Sequence, residues 1–439
     1  MKSFCEISSM KKKIYCLIAL LFCCFWGSAQ PVIKQLNNAS IMPGAERTNV
    51  YLPLLKGKSV GVFANQTSMV KNTHLVDLLL AKGIKVVKIF GPEHGFRGDA
   101  DAGEHVADAK DKKTGIPVIS LYGNHKKPTP EDLKDVDVLI FDIQDVGVRF
   151  YTFISSLEYY IEAAAENNKP LLILDRPNPN GFYVDGPMLD MKFKSFIGMQ
   201  PIPVVYGMTI GEYAQMLVSE NILANTDLHV VAIQIDKEKK RETANDYIKR
   251  NKNEIGNIDL TIIACQNYTH KTKYKLPINP SPNLKEMQAI YLYPSTCFFE
   301  GTVLSEGRGT DKPFEYFGHP SLPKNLFSFT PQPNAGAKSS KCFYQQCYGW
   351  NLSGTNEEVL KNINNKIQLK YLIDAYKLFP GKDTFFLKNN FINKLAGNDQ
   401  LMQQIKDGKT EAEIRKSWEP ALTAFKATRK KYLLYKDFE

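Results

Sequence analysis

The run Ile84-Lys85-Val86-Val87-Lys88-Ile89-Phe90 leads directly into Gly91-Pro92-Glu93-His94-Gly95-Phe96-Arg97-Gly98. Its apolar members are β-branched or aromatic, and the helical pattern before it stops at Gly83. It therefore reads as a buried parallel strand. Glu93 then stands just past the strand's carboxyl end, held between Pro92 and His94-Gly95. In open α/β sheets that edge is where ligands bind, and a carboxylate restrained in this way has little packing reason to be there. Glu93 is thus the first candidate for chemistry.

Outward from this strand, strand-like runs alternate with helical ones from Lys58 to about Cys265. The strands expected are Val60–Ala64, Ile84–Phe90, Val118–Leu121, Val138–Phe141, Leu171–Leu174, Val204–Val205, Val230–Ile235 and Leu260–Ala264. Three-to-four spacing of apolar residues predicts helices over His74–Lys82, Phe150–Asn167 and Ile210–Leu223. This is the pattern of an α/β protein with a doubly wound, Rossmann-like sheet. After Asn267 the texture changes, through Pro277, Pro280 and Pro282, to aromatic residues, mixed helices and irregular loops. The expected division is an N-terminal catalytic domain, 30–267, and a smaller mixed α+β C-terminal domain, 268–439, that completes the cleft. In the second part Leu360–Leu378 and Glu411–Lys426 read as helices, and Pro323–Lys341 as a long polar loop.

The first 29 residues have the character of a secretory leader. Lys11, Lys12 and Lys13 precede an apolar run from Ile14 to Trp26, and Gly27 and Ala29 supply the small residues of a cleavage site. The run is short for a membrane span, so an exported chain, periplasmic or secreted, is expected. A lipid anchor at Cys23 or Cys24 fits less well, because Phe22 occupies the place of a small residue. Losing Lys2, Lys11, Lys12, Lys13 and Glu6 with the leader lowers the formal charge from +10 to +7. The remaining lysines are scattered, which gives nucleic-acid binding little support. Of eight cysteines, Cys265, Cys297, Cys342 and Cys347 lie beyond the leader. An oxidising compartment would permit Cys342 to pair with Cys347, although spacing alone does not establish it.

Three polar clusters follow three separate strands: the Glu93 loop, with His94 and Arg97; Asp142-Ile143-Gln144-Asp145-Val146-Gly147-Val148-Arg149; and Asp175-Arg176-Pro177-Asn178-Pro179-Asn180-Gly181. Parallel strands gather such clusters along one edge. Asp142 and Asp145 could cap the helix expected to start near Phe150, yet two carboxylates and Arg149 exceed what a cap needs. Asp175 could equally shape a turn. Thr209-Ile210-Gly211-Glu212 matches a capping box, so Glu212 reads as structural. Asp99, Asp101, Glu104 and His105 offer metal donors, but their spacing fits neither a calcium loop nor a zinc helix; no metal and no cofactor is expected. Farther on, Glu306-Gly307-Arg308-Gly309 sets an arginine between glycines, where a guanidinium can grip a carboxylate with two parallel hydrogen bonds.

Together these stretches resemble the bacterial exo-β-N-acetylmuramidase family of peptidoglycan hexosaminidases. The resemblance rests on Gly91-Pro92-Glu93-His94-Gly95, on Asp142 through Thr152, on Asp175-Arg176-Pro177-Asn178-Pro179, and on Glu300-Gly301-Thr302 with Glu306-Gly307-Arg308-Gly309-Thr310. It implies a Rossmann-like domain, a smaller C-terminal domain, and a cleft between them that takes a peptidoglycan-derived glycan. It also implies Glu93 as the catalytic residue that releases N-acetylmuramic acid. Glycoside hydrolysis needs an acid for the leaving oxygen and a second group at the anomeric carbon. Glu93 is the expected acid, with Asp142 or Asp145 as second group. Expected substrate contacts are His94, Arg97, Arg149, Asp175, Arg176, Asn178, Glu306 and Arg308. Arg308, Arg97 or Arg149 would hold the lactyl carboxylate. A metal-dependent hydrolase and a non-catalytic glycan-binding protein remain open alternatives, and oligomeric state is not legible.

Overall fold

A computed structural model of the chain describes residues 41–93, 95–96, 109–220, 222–223, 229–233 and 259–439. The leader, His94, Arg97 and the run from Asp99 to His105 lie outside the described residues. The backbone of the fold is one eight-stranded sheet: β1 (Ser59–Ala64), β2 (Lys85–Gly91), β3 (Ala109–Lys110), β4 (Pro117–Ser120), β5 (Val138–Asp142), β6 (Leu171–Leu174), β7 (His229–Ile233) and β8 (Asp259–Ile263). Their order is β7-β8-β6-β5-β1-β2-β4-β3, and every neighbouring pair is parallel except β3 with β4.

Residue alternation explains why this sheet needs cover on both faces. Val60, Val62, Val138, Ile140, Leu172 and Leu174 point into one core, joined by α1 (Thr48–Leu55) and α2 (Leu75–Ala81) through residues such as Tyr51 and Leu79. Phe63, Leu139, Phe141, Leu171, Ile173 and Ile262 point into the other, against Leu157, Tyr160 and Ile161 of α3 (Phe153–Glu166) and Tyr213 and Leu217 of α4 (Ile210–Ser219). That second core runs on without a break into the C-terminal region through Tyr291 of α5 (Met287–Thr296), Phe298 and Phe317.

The chain builds outward from β1 through β2 to β4, then crosses to β5 on β1's other flank. Two adjacent strands thus have connections leaving in opposite directions, which opens a crevice at their carboxyl ends. Here the crevice is closed by the protein's own polar groups. The Gln144 amide donates to Thr67 Oγ1 at 3.0 Å, and the Ser68 hydroxyl donates to the Asp142 carbonyl.

Several expectations shift. Val204–Val205 is not a strand of the main sheet; Pro203–Val205 pairs antiparallel with Asp185–Met188 in a separate ribbon. A three-residue run carries too little pattern to assign a partner. The helix expected over Leu360–Leu378 is two helices, Asn356–Ile363 and Lys370–Leu378. Asn364 and Asn365 both take left-handed φ values, 46° and 53°, which an asparagine tolerates and a continuing helix does not. The polar loop Pro323–Lys341 contains a strand, Phe327–Phe329, which pairs with Cys347–Asn351. The capping box holds: Glu212 accepts from the Thr209 amide at 2.9 Å, and Thr209 Oγ1 from the Glu212 amide at 3.3 Å. Cys342 and Cys347 carry free thiols, which donate to the Val303 and Gln345 carbonyls at 3.9 and 3.7 Å. Among the described residues no helix is long and apolar enough to cross a membrane.

Candidate active site

Register brings the first site residues together. Gly91 at the end of β2 pairs with Ser120 at the end of β4, and the Leu121 amide donates to the Gly91 carbonyl at 2.8 Å. Glu93 and Tyr122 each lie two residues past that pair, so they leave the sheet side by side. The Gly95 amide donates to the Pro92 carbonyl at 2.9 Å, folding Pro92–Gly95 into a tight turn that projects Glu93. The Tyr122 hydroxyl donates to Glu93 Oε1 at 2.9 Å. Burial and the adjacent Glu93 push the Tyr122 phenol well above its ordinary pKa, so it stays a donor.

The other Glu93 oxygen accepts from Thr152 Oγ1 at 3.1 Å. Thr152 is the N-cap residue of α3, yet its side chain makes no cap hydrogen bond. A threonine at that position ordinarily satisfies an amide of its own helix, with about 0.5–2 kcal/mol at stake. Here the hydroxyl is spent on Glu93, a departure of local structure from its usual optimum that fits a functional placement.

A cleft of about 200 Å³ opens beside Glu93. The sheet side contributes Glu93, Tyr122, Phe150 and Thr152; the C-terminal region contributes Asn283, Tyr293, Glu300, Arg308 and Phe314. Tyr293 meets Phe150 edge-on at 5.4 Å and Phe314 at 4.8 Å between ring centroids, giving the cleft an aromatic wall. At its rim Lys126 Nζ stands 5.2 Å from the ring centroid of Phe196, another lining residue.

Arg308 is set by its two glycines. Gly307 and Gly309 have φ of 81° and 82°, and a Cβ on either would meet a carbonyl oxygen, Tyr316 O at 2.7 Å or Gln332 O at 2.6 Å. No other residue type fits there without moving the backbone. The loop presents the guanidinium to two protein carboxylates: Nη2 donates to Glu300 Oε1 at 2.7 Å, and Nε lies 3.3 Å from Glu306 Oε1. Lys341 Nζ lies 2.8 Å from the other Glu306 oxygen and donates to the Phe299 and Thr302 carbonyls, which flank Glu300. Glu300, Arg308, Glu306 and Lys341 thus form a charge ladder leading inward from the cleft. Burial opposes both inner charges and is outweighed: Lys341 and Arg308 hold Glu306 below its ordinary range, and Glu300 and Glu306 hold Arg308 above its own.

Of the residues expected from sequence, Glu93 and Arg308 line the cleft, and Glu306 stands behind Arg308. The others among the described residues, Asp142, Asp145, Arg149, Asp175, Arg176 and Asn178, do not enter the lining. Asp142 is sealed from solvent in a two-pronged pair with Arg176, Nε to Oδ1 at 2.6 Å and Nη2 to Oδ2 at 2.9 Å. Asp145 accepts from the Gly147 amide at 2.6 Å and the Tyr206 hydroxyl at 2.5 Å, and burial pushes it up to about 7. Arg149 is wholly buried and donates to the carbonyls of Pro187, Ile202 and Leu395, stapling three segments; burial lowers it to about 9. Asp175 is occupied by the Thr209 and Tyr435 hydroxyls and the Gly211 amide, with burial raising it to about 6. Asn178 donates to the Met208 carbonyl and accepts from the Asn180 amide. These side chains gather near the strand ends, but they point into the protein and bond to its own backbone and side chains.

Sequence reasoning overlooked Tyr122, Thr152 and Glu300. Tyr122 follows β4 just as Glu93 follows β2, a parallel that could have drawn it in. Thr152 falls inside the helix expected over Phe150–Asn167, where a lone threonine carries no mark of function. Glu300 sits in a stretch that matches a family motif but carries no mark of its own.

Comparison with known proteins agrees with this architecture. Residues 60–288 match the family model for the N-terminal part of exo-beta-N-acetylmuramidase NamZ, and residues 291–435 the model for its C-terminal part. A Bacillus subtilis (strain 168) protein described as peptidoglycan beta-N-acetylmuramidase NamZ is 39% identical over 411 residues, covering 88% of this chain and 89% of the relative. Two crystal structures of DUF1343 family proteins from Bacteroides fragilis NCTC 9343 also align, each over 90% of this chain and 99% of theirs. One has 45% identity and a TM-score of 0.77. The other has 27% identity and a TM-score of 0.68.

Proposed function

Because the chain belongs to the exo-β-N-acetylmuramidase NamZ family, we propose that it is an exo-acting glycosidase that releases N-acetylmuramic acid from the non-reducing end of peptidoglycan fragments. The observation that carries this reading is Glu93, a half-buried carboxylate held on both oxygens by Tyr122 and Thr152 at the mouth of an aromatic-walled cleft. Such a carboxyl group is positioned to protonate the leaving glycosidic oxygen, and the aromatic wall offers faces on which a sugar ring packs.

The finer architecture belongs to the same proposal. The sheet, with its reversal between β1 and β5, is read as a Rossmann-like, doubly wound catalytic domain, and the region after about residue 267 as a smaller mixed α+β domain that completes the cleft. The leader over 1–29 supports export to the periplasm or medium, where this substrate is found; a lipid-anchored form is the less favoured route.

The test is to incubate the purified protein with chromogenic β-glycosides of N-acetylmuramic acid and of N-acetylglucosamine side by side. Release from the first and not the second is expected. Release from neither, or equally from both, overturns the proposal.

A further inference from the structure

The geometry points to Glu300 as the second catalytic carboxylate, with Arg308 as its positioning residue; this rests on the glycosidase reading above. Sequence reasoning sought that group in Asp142 or Asp145, next to Glu93 along the sheet edge. Asp142 is engaged on both oxygens by Arg176, Asp145 is buried with its Oδ2 held by Tyr206 and the Gly147 amide, and neither lines the cleft. Among the described residues the cleft lining holds two carboxylates, Glu93 and Glu300.

They come from separate elements. Glu93 projects from the end of β2, whereas Glu300 lies on the 3-10 turn Cys297–Gly301 that follows α5. A glycoside in this cleft meets two carboxyl groups, the pair that glycoside hydrolysis requires. Their partners differ as well: the Tyr122 and Thr152 hydroxyls donate to Glu93, whereas the Arg308 guanidinium holds Glu300. Arg308 holds Oε1, and Oε2 has no hydrogen-bond partner among the described residues. That oxygen is available to take a proton.

In the step this implies, a water oxygen bonds to the anomeric carbon directly, or the sugar's own acetamide oxygen does so first and water then displaces it, breaking that bond. The bond from that carbon to the leaving oxygen breaks, with its electron pair going to the leaving oxygen. Glu93 donates its proton there, and Glu300 accepts the proton that the attacker gives up. One water is consumed overall, and solvent returns the proton from Glu300 to Glu93.

Leaving-group dependence separates the two roles. A 4-nitrophenyl leaving group needs little protonation, whereas the N-acetylmuramic acid–N-acetylglucosamine disaccharide needs it fully. Glu93→Gln should therefore lose far more activity on the disaccharide than on the aryl glycoside. Glu300→Gln should lose on the order of a hundred- to ten-thousand-fold in kcat on both, along with the acidic limb of the pH–rate profile. The glutamine keeps a carbonyl oxygen for Arg308, and near-ultraviolet circular dichroism checks that the variant is folded. Glu300→Asp, which retains the carboxylate, should recover part of the loss. The inference is overturned if Glu300→Gln stays within about tenfold of wild type, if its loss is confined to the disaccharide, or if the acidic limb persists. A wild type inactive on both glycosides overturns the function itself, whereas an active wild type with an unimpaired Glu300→Gln overturns this inference alone.

Discussion

The Arg176 guanidinium closes on the Asp142 carboxylate with two hydrogen bonds, at 2.6 and 2.9 Å, where both side chains are almost wholly shielded from solvent. A third guanidinium contact, to the Met69 carbonyl at 3.0 Å, ties the pair to the segment after β1. Removing one member of such a pair strands the other charge in the interior. We expect Asp142→Asn to cost about 3–5 kcal/mol of stability, measured by urea denaturation, while folded protein retains its kcat. A stable variant with a collapsed kcat would return Asp142 to the catalytic machinery.

Glu93→Gln keeps the shape of the side chain, with an oxygen to accept from one hydroxyl and an N–H to donate to the other, but it has no acidic proton to deliver. Turnover of the disaccharide should fall by roughly a hundred- to ten-thousand-fold with the unfolding midpoint little changed. A loss below about tenfold would demote Glu93 to a positioning role.

Arg308 tests a different idea. From sequence it was the expected clamp for the lactyl carboxylate, but Glu300 and Glu306 already engage two of its nitrogens. Lysine keeps the charge and loses the planar fork, so Arg308→Lys should weaken kcat/KM by roughly ten- to two-hundred-fold, one charge-assisted hydrogen bond's worth. The loss should be the same for an N-acetylmuramic acid glycoside and for its lactyl amide. A loss seen only with the free lactyl acid would restore the clamp.

Buried carboxylates set a pH dependence of stability. Glu158, on α3, accepts from the Tyr213 hydroxyl at 2.6 Å and Gln200 Nε2 at 2.7 Å, and burial pushes it up to about 7 from an ordinary 4.5. Between those values the folded state binds more protons than the unfolded chain, so stability is greatest on the acid side and falls as pH rises. Asp145 and Asp175 act in the same direction, up to about 7 and about 6. Thermal melts at pH 5 and pH 8 should show the lower midpoint at pH 8, and Glu158→Gln should narrow the gap. An unchanged gap would rule out Glu158 as a contributor.

Activity should survive exhaustive EDTA treatment. The spacing of Asp99, Asp101, Glu104 and His105 meets neither a calcium-loop nor a zinc-helix pattern. Reversible loss restored by a divalent cation would favour the metal-dependent hydrolase instead.

Most of the sheet was legible because its signals are short-ranged: β-branched runs such as Val138–Phe141 and Leu171–Leu174, the Gly83 and Gly91-Pro92 breaks, and the Thr209–Glu212 capping box each act within a few residues. By the same local chemistry, the sequence alone determined that Glu93 leaves the end of a strand in a restrained turn, and that Arg308 sits where only glycines can flank it. What it could not determine is where each polar side chain spends its hydrogen bonds. Asp142 finds Arg176 across 34 positions, Arg149 reaches Leu395 across 246, and Thr152 turns from its own helix to Glu93 across 59. The register of Gly91 with Ser120 sets Tyr122 beside Glu93, and packing of the C-terminal region brings Glu300 to the same cleft. A carboxylate becomes a buried staple or a catalytic group according to what lies within about 3 Å of it. In a sheet assembled by crossover connections those neighbours come from distant parts of the chain, so only the tertiary structure decides between the two.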